Sequence, residues 1–288
     1  MNARLALKTL PGLLLLLLLA VGVGWWAMRA PGLPGPPPEA AIPVGGAEDA
    51  DLPVPPAPPR IASDPRYEAC LAMVDQDPEG ALAMAEKPDD VGGADPASHC
   101  RALAEVATGD PEAGAALLDE IGRHEGPSPA ARAAILQQAA EAWLMADAPN
   151  RAAASAGRAL LLTPDSADLL ADQAAAEAAL GKDDDALENL LRAREAAPDR
   201  ADILAALGAT QRRLGQTEAA RASLAASLAI DPDEPTALLE RGIIHQQAGA
   251  LAAARADWQH TIAAAPQSDA ADLARQNIEL LDAGPEEK

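Results

Sequence analysis

From residue 133 to residue 266, apolar residues follow a helical spacing that repeats every 34 positions. Columns of large apolar residues, small residues and proline all keep this interval. A unit of this length holds two helices, and one such pair cannot bury its apolar faces alone. The pattern therefore predicts stacked pairs of antiparallel helices. The recurring residues are Leu136, Leu170, Leu204 and Leu238; Ala140, Ala174, Gly208 and Gly242; Ala156, Leu190, Leu224 and Trp258; Ala159, Ala193, Ser227 and Thr261; and Pro164, Pro198, Pro232 and Pro266.

One unit, "LGQTEAARASLAASLAIDP" at residues 214–232, shows what these positions do. Gly215 can adopt the left-handed conformation that ends a helix, and Thr217 is predicted to cap the next helix. Pro232 ends that second helix because it has no N–H to donate. Ala220 is small enough to lie against Gly208 on the preceding helix, so the two helices of the unit can pack closely.

This self-similarity resembles the tetratricopeptide repeat (TPR). The resemblance covers residues 133 to 266, just under half of the chain. It implies an all-α TPR-type solenoid of helix–turn–helix repeats, with four repeats in residues 129–268. A solenoid of this kind forms a concave groove that binds a peptide or a protein.

Weaker signals extend the helical region in both directions. Asp77–Pro78 and Asp110–Pro111 each combine a capping aspartate with a proline at the first helical position. We therefore predict two divergent helical pairs in residues 61–128, at about 64–87 and 95–121. Residues 269–288 are predicted to form a capping helix and a tail, since solenoids end in a helix with a polar outer face. Its apolar stripe consists of Ala271, Ala274, Ile278 and Leu281.

Residues 1–29 predict a membrane or signal segment. Arg4 and Lys8 precede a nearly unbroken apolar run from Leu10 to Met28. An uncleaved anchor is favoured, because the run is long enough to cross a hydrocarbon core of about 30 Å and Trp25–Trp26 suit its interface. A cleaved signal peptide remains the alternative. We expect a single-pass inner-membrane protein with periplasmic repeats, or else a periplasmic or secreted one.

A proline-rich linker is predicted for residues 30–60, which include "PGLPGPPP" and "LPVPPAPP". Such a segment cannot bury a core and favours an extended spacer, about 90 Å long at roughly 3.1 Å per residue. A ligand for a proline-recognising domain is the other interpretation. The spacer is favoured for an exported protein.

Composition limits the classes of partner. Hydrophobic residues make up 49% of the 288 residues, largely through alanine, with no phenylalanine and one tyrosine. This composition suits closely packed helices and disfavours a β-rich fold. The net charge of −22 makes nucleic acid an improbable partner, because binding it requires cations that neutralise phosphates. The charge either keeps the domain soluble or attracts a basic partner.

No motif for catalysis, a cofactor or a metal stands out. The sequence has no phosphate-binding glycine loop outside the apolar run, no Cys-x-x-Cys and no His-Glu-x-x-His. We therefore predict a non-enzymatic scaffold or adaptor of the bacterial envelope. One alternative resembles the membrane-anchored TPR subunit of c-type cytochrome maturation, which holds apocytochrome. That family usually has two membrane helices before its repeats, whereas this chain has one apolar run. An enzyme of unrecognised type is the remaining alternative.

The resemblance also implies which residues line the groove, on the first helix of each pair. Arg212 and Arg213 are the most conspicuous of them, and we hypothesise that they anchor an acidic group of a partner. The alternative is that both are solvated residues at a helix end. The predicted groove residues are Gln137, Glu141, Leu144, Met145, Asp168, Ala171, Asp202, Ala205, Arg212, Arg213, Leu239, Ile243, Gln246 and Gln247.

Finally, the two cysteines, Cys70 and Cys100, are predicted to form a disulfide. Export to an oxidising compartment makes pairing plausible for a chain with two cysteines. The two N-terminal pairs align at an offset of 33 residues, which places Cys100 level with Tyr67, one helical turn from Cys70. Buried free thiols are the alternative.

Overall fold

The structure is a computed structural model that describes residues 61–124 and 127–283. Within these ranges the chain is all-α, with fourteen helices and no strand, which confirms the predicted fold class. The predicted membrane or signal segment and the proline-rich linker lie outside the described residues. Among the helices that are described, none is long and apolar enough to cross a membrane.

The helices follow one another with short turns. They are α1 (Pro65–Val74), α2 (Pro78–Ala85), α3 (Pro88–Val91), α4 (Ala94–Ala107), α5 (Pro111–Arg123), α6 (Pro129–Met145), α7 (Pro149–Leu162), α8 (Ala167–Ala179), α9 (Asp183–Ala196), α10 (Ala201–Arg213), α11 (Thr217–Ile230), α12 (Pro235–Gln247), α13 (Leu251–Ala264) and α14 (Asp269–Ala283).

Two layers of helices result from this order. The first helices α6, α8, α10 and α12 contact one another directly, and α12 also contacts α14. The second helices α7, α9, α11 and α13 contact the first helices that precede and follow them. In a TPR-type solenoid, the layer of first helices forms the concave side. We call the solvent-facing side of α6, α8, α10 and α12 the groove face.

Small residues set the distance between the helices of a repeat. A Cβ atom added at Gly208 would lie 2.6 Å from the Leu224 side chain, and one added at Gly242 would lie 2.4 Å from Trp258 Nε1. Leu224 and Trp258 are 1% and 0% exposed. In the last two repeats, the predicted columns therefore place a large side chain of the second helix against a glycine of the first.

The turns inside the repeats use the predicted left-handed residue. Gly215 has φ 72°. Asp147 takes the equivalent position in the first repeat with φ 53°, which aspartate tolerates better than most residues. One local prediction was wrong: Thr217 is the first residue of α11, and Gln216 is its N-cap and makes no side-chain capping bond. The left-handed glycine completes the turn one residue earlier than the capping signal suggested.

The N-terminal module, α1 to α5, has a different organisation. Its first two helices are short, and the one-turn helix α3, which the sequence analysis missed, follows them. Cys70 on α1 and Cys100 on α4 are joined by a disulfide, with their Cα atoms 6.1 Å apart. Both cysteines lie in a buried cluster with Tyr67, Val74 and other apolar residues of this module.

The last helix, α14, closes the C-terminal end of the solenoid. Ala271 and Ala274 are buried, while Ile278 and Leu281 are partly buried against the cluster that contains Trp258. The opposite side of α14 exposes Leu273 and Leu280 among its polar residues.

Candidate functional site

The groove face is strongly acidic at one end. Glu141 on α6 and Asp168, Asp172 and Asp202 on α8 and α10 belong to consecutive first helices. The Arg200 guanidinium donates to Asp168 Oδ1 at 2.7 Å and to Asp202 at 2.8 and 2.6 Å. This arginine bridges two of the four carboxylates and leaves Glu141 and Asp172 without a comparable ion pair among the described residues. We call these four carboxylates the acidic end.

Two carboxyl groups of the acidic end resist ionisation. Burial raises the pKa of Asp172 to about 7, and repulsion from Glu141 and Asp168 acts in the same direction. Hydrogen bonding by Gln137 and the charge of Arg200 lower this pKa but do not offset the increase. Burial also raises the pKa of Glu141. The cations of the chain therefore do not fully stabilise the charged forms of these two carboxyl groups.

In the other half of the groove face, the arginine charges are paired with carboxylates of the chain itself. Arg212 forms a bidentate ion pair with Glu240 on the next first helix, and the Arg212 side chain is 19% exposed. Arg213 donates from Nε to Asp183 Oδ1 at 2.7 Å and from Nη2 to Thr210 at 2.9 Å. Arg212 is mostly buried, whereas Arg213 is the last residue of α10 and its side chain is 33% exposed. Carboxylates of the chain already pair with both guanidinium groups, so an acidic group of a partner would compete with Glu240 and Asp183, and the acidic anchor stays a prediction.

Some predicted groove residues face the core instead. Leu239 is 4% exposed and packs in the cluster that contains Trp258, so it cannot contact a partner. Ala205 is 0% exposed, and Leu144 packs against the buried cluster around Trp143. The family positions supplied the correct helices, but three of these side chains support the packing of the repeats.

The remaining predicted groove residues keep some exposure. Met145 is 65% exposed. Those that are exposed or half-buried are Gln137, Met145, Ala171, Ile243, Gln246 and Gln247. They give the groove face a mixed apolar and amide surface beyond its charged residues.

A polar column that the sequence analysis missed crosses each regular repeat. A residue near the end of the first helix pairs with one on the second helix, and both positions recur every 34 residues. In the first repeat the column is occupied by Trp143 and Ser155, which both bond to Asp119 on α5 instead. The 34-residue interval between these polar residues was the signal in the sequence. The later pairs, with the distance between their polar atoms, are Glu177–Asn189 (2.9 Å), Gln211–Ser223 (2.7 Å) and His245–Asp257 (2.9 Å).

Within the described residues, the histidines belong to no cluster that could hold a metal ion. Tyr67 Oη lies 2.6 Å from His99 Nδ1, and His99 Nε2 lies 2.7 Å from Gln138 Oε1, so the His99 ring connects α1, α4 and α6. Burial lowers the pKa of His99. No group of three or more possible metal-ligating side chains occurs in the part of the chain that the structure describes.

Comparisons with known proteins support the fold. No protein-family model matches the chain, and no curated protein matches it. Among solved structures, it is similar to a thermophilic TPR protein from Thermus thermophilus, at 21% identity and a TM-score of 0.53, over 65% of this chain and 98% of that one. MamA from Desulfovibrio magneticus RS-1 is similar at 20% identity and a TM-score of 0.49, over 60% of this chain and 95% of that one. The chain has a TPR-type repeat fold.

Proposed function

We propose that the protein is a non-enzymatic adaptor that binds a protein segment on its groove face. The observation that carries this proposal is the acidic end, where Glu141 and Asp172 lie on neighbouring first helices without a compensating ion pair among the described residues. A solenoid that only had to remain soluble would keep its carboxylates far apart. Clustered carboxyl groups with raised pKa values suit a surface to which a partner supplies the compensating positive charge.

The partner that fits this surface is a basic segment. A lysine or arginine beside Asp172 would form the direct ion pair that Arg200 makes with Asp168 and Asp202 but not with Asp172. Such a cation would lower the pKa of Asp172 from about 7 and ionise it on binding. Beyond the acidic end, Ile243 and Gln246 offer apolar and amide contacts to the continuation of the segment.

We further propose that the protein is anchored by its N-terminal apolar run and that its repeats lie in the periplasm. The disulfide between Cys70 and Cys100 supports this location, since disulfides persist in oxidising compartments. Basic residues before the run favour an N-terminus that stays in the cytoplasm. Labelling with a membrane-impermeant lysine reagent, in intact cells and in cells whose outer membrane alone is opened, tests this location. If Lys87 and Lys182 were still protected after the outer membrane is opened, the proposal would be wrong.

Binding of a lysine-rich peptide to the full-length protein tests the groove assignment. Calorimetry in buffers of different ionisation enthalpy should detect proton release near pH 7, because the peptide ionises Asp172. The double variant Glu141→Gln/Asp172→Asn should weaken binding by about tenfold and abolish the proton release. A glutamate-rich peptide should not bind.

The matched control is Glu188→Gln/Glu195→Gln, which makes the same change in net charge on exposed positions of α9. It should leave both affinity and proton release unchanged. Equal weakening by the two double variants would mean that net charge alone attracts the peptide, and the groove assignment would then be wrong.

A further inference from the structure

An open pocket lies on the side of the solenoid where the second helices are exposed, between α5 and α7. Its volume is about 390 Å³. Arg123 of α5 and Arg151 and Arg158 of α7 line it, together with Asp119 and the Trp143 side chain of α6. Three arginines around one pocket are unexpected in a chain whose net charge is −22.

Most N–H donors of these guanidinium groups have no acceptor among the described residues, as is also true of Arg101 and Arg132. Each donates one recorded hydrogen bond within the described residues: Arg123 Nε to the Asp119 carbonyl, Arg151 Nη1 to Glu112, and Arg158 Nη1 to Asp119. By contrast, Arg200 donates three bonds to carboxylates. A guanidinium has five N–H donors, so most donors at this pocket remain available to a ligand.

Both carboxylate oxygens of Asp119, which lines the pocket, accept hydrogen bonds. Asp119 Oδ1 accepts from Ser155 Oγ and Arg158 Nη1, both at 2.7 Å, and Oδ2 accepts from Trp143 Nε1 at 3.4 Å. These bonds fix Asp119 and orient Arg158 through one nitrogen. Asp119 and Glu112 supply two negative charges against three guanidinium groups, so the pocket keeps a net positive charge.

Arg151 is held in place but weakly paired. Its guanidinium carbon lies 4.5 Å from the Trp143 ring centroid, a cation–π contact that fixes the head group. Its ion-pair partner Glu112 is 73% exposed, and an exposed pair of this kind contributes little. A bound anion can therefore replace Glu112 without a large cost.

We propose that this outer pocket binds a small soluble molecule that carries a phosphate group. Arg123, Arg151 and Arg158 would donate to its oxygens, since guanidinium groups pair with phosphate in a bidentate geometry. The volume of about 390 Å³ exceeds what a phosphate needs, and it leaves room for the organic part of the ligand. The site lies on the opposite layer of helices from the groove face and is independent of the peptide partner.

Titration of the full-length protein with pyrophosphate, in calorimetry at constant ionic strength, tests the proposal. The unmodified protein should bind with a Kd below about 1 mM. Arg123→Gln/Arg151→Gln should weaken this by at least about tenfold. The control Arg255→Gln/Arg275→Gln changes net charge equally at surface positions far along the chain, on α13 and α14, and should leave binding unchanged.

A third variant gives an effect of the opposite sign. Asp119→Asn keeps an oxygen for Ser155 and Arg158 but removes the negative charge from the pocket, so binding of pyrophosphate should tighten severalfold. Thermal unfolding followed by circular dichroism checks that each variant is folded. Absence of binding to the unmodified protein, equal weakening by the two arginine pairs, or weaker binding by Asp119→Asn would each overturn the proposal, while leaving the peptide groove untouched.

Discussion

The N-terminal module and the four regular repeats solve the same packing problem differently. In the repeats, helices of 13 to 17 residues approach closely because a glycine or alanine on one lies under a large residue on the other. In the module, α1 and α2 have 10 and 8 residues and bury correspondingly less surface. A disulfide and the buried Tyr67–His99–Gln138 chain connect its helices.

The difference indicates where each region is vulnerable. Short helices with few large apolar residues gain less from burial, so a covalent link between α1 and α4 contributes a larger share of their stability. The regular repeats depend on their neighbours, since each buries its faces against the next. Changes in packing should therefore affect the repeats most, while a change in redox state should affect the module.

The largest effect is expected from Trp258→Ala in the last repeat. Trp258 is 0% exposed and packs on Gly242 and on α14, so its loss leaves a cavity that α13 and α14 cannot fill. The free energy of unfolding should fall by about 3–5 kcal/mol in chemical denaturation. Hydrogen exchange should show the loss first in α12 to α14, and Leu161→Ala, at a side chain 82% exposed, is the control with an effect below about 0.5 kcal/mol.

If Trp258→Ala instead destabilised α1 to α5 as much as the last repeat, the two regions would form a single cooperative unit. The proposed division of their stability would then be wrong.

Removal of the disulfide by Cys70→Ser/Cys100→Ser should have the next largest effect. The bridge spans 30 residues, and its loss should cost about 3.5 kcal/mol according to the chain-entropy model. Faster amide exchange should be confined to α1, α2 and α4. A reducing agent should reproduce the effect in the unmodified protein and have no effect in the variant, whereas unchanged exchange in α1 after reduction would contradict it.

The regular part of the fold could be predicted because its packing residues recur at a fixed interval in the sequence. Gly208, Leu224 and Pro232 each occupy columns that three other repeats occupy with similar residues. The helix α3 gave no such signal, since "PDDV" is one turn long and has no counterpart in the next pair. Its position depends on contacts with α1, α2 and α4, which the local sequence does not specify.

The site was less predictable than the fold. The family resemblance indicated which helices carry the groove face, but the partners of Arg212 and Arg213 come from α12 and α9, at sequence separations of 28 and 30 residues. Which charged side chains pair across repeats depends on the rotamers that bring a guanidinium group within reach of a carboxylate. The repeat pattern does not specify those rotamers. The arginine pocket was missed for the same reason, because α5 and α7 contribute its side chains from two different repeats.

A lower pH should change the stability of the two regions in opposite directions. Burial lowers the pKa of His99 from 6.5, so its stabilising contribution is present above that value and is lost as the pH falls through it. The pKa of Asp172 is raised from 3.8 to about 7, so its destabilising charge is absent at low pH and appears as the pH rises through this window. From pH 7.5 to 5.5, the free energy of local opening measured by exchange should decrease in α1 and α4 and increase in α6 and α8.

Two variants separate these contributions. Asp172→Asn should abolish the response of α6 and α8 and leave that of α1 and α4 intact, and His99→Gln should do the reverse. A change of the same sign in both regions of the unmodified protein would contradict the assignment of the pH dependence to these two groups.

The smallest effect is expected at Arg213, which the sequence presented as a binding residue. Its ion pair with Asp183 is partly exposed and joins α10 to α9, so Arg213→Gln should lower the free energy of unfolding by less than about 1 kcal/mol. Binding of the lysine-rich peptide should change by less than about twofold, since the guanidinium is already held by Asp183. Asp183→Asn should produce the same small loss, and a double-mutant cycle should show that the two effects are coupled. A tenfold loss of peptide binding in Arg213→Gln alone would restore Arg213 as a partner contact and move the proposed site toward the C-terminal half of the groove face.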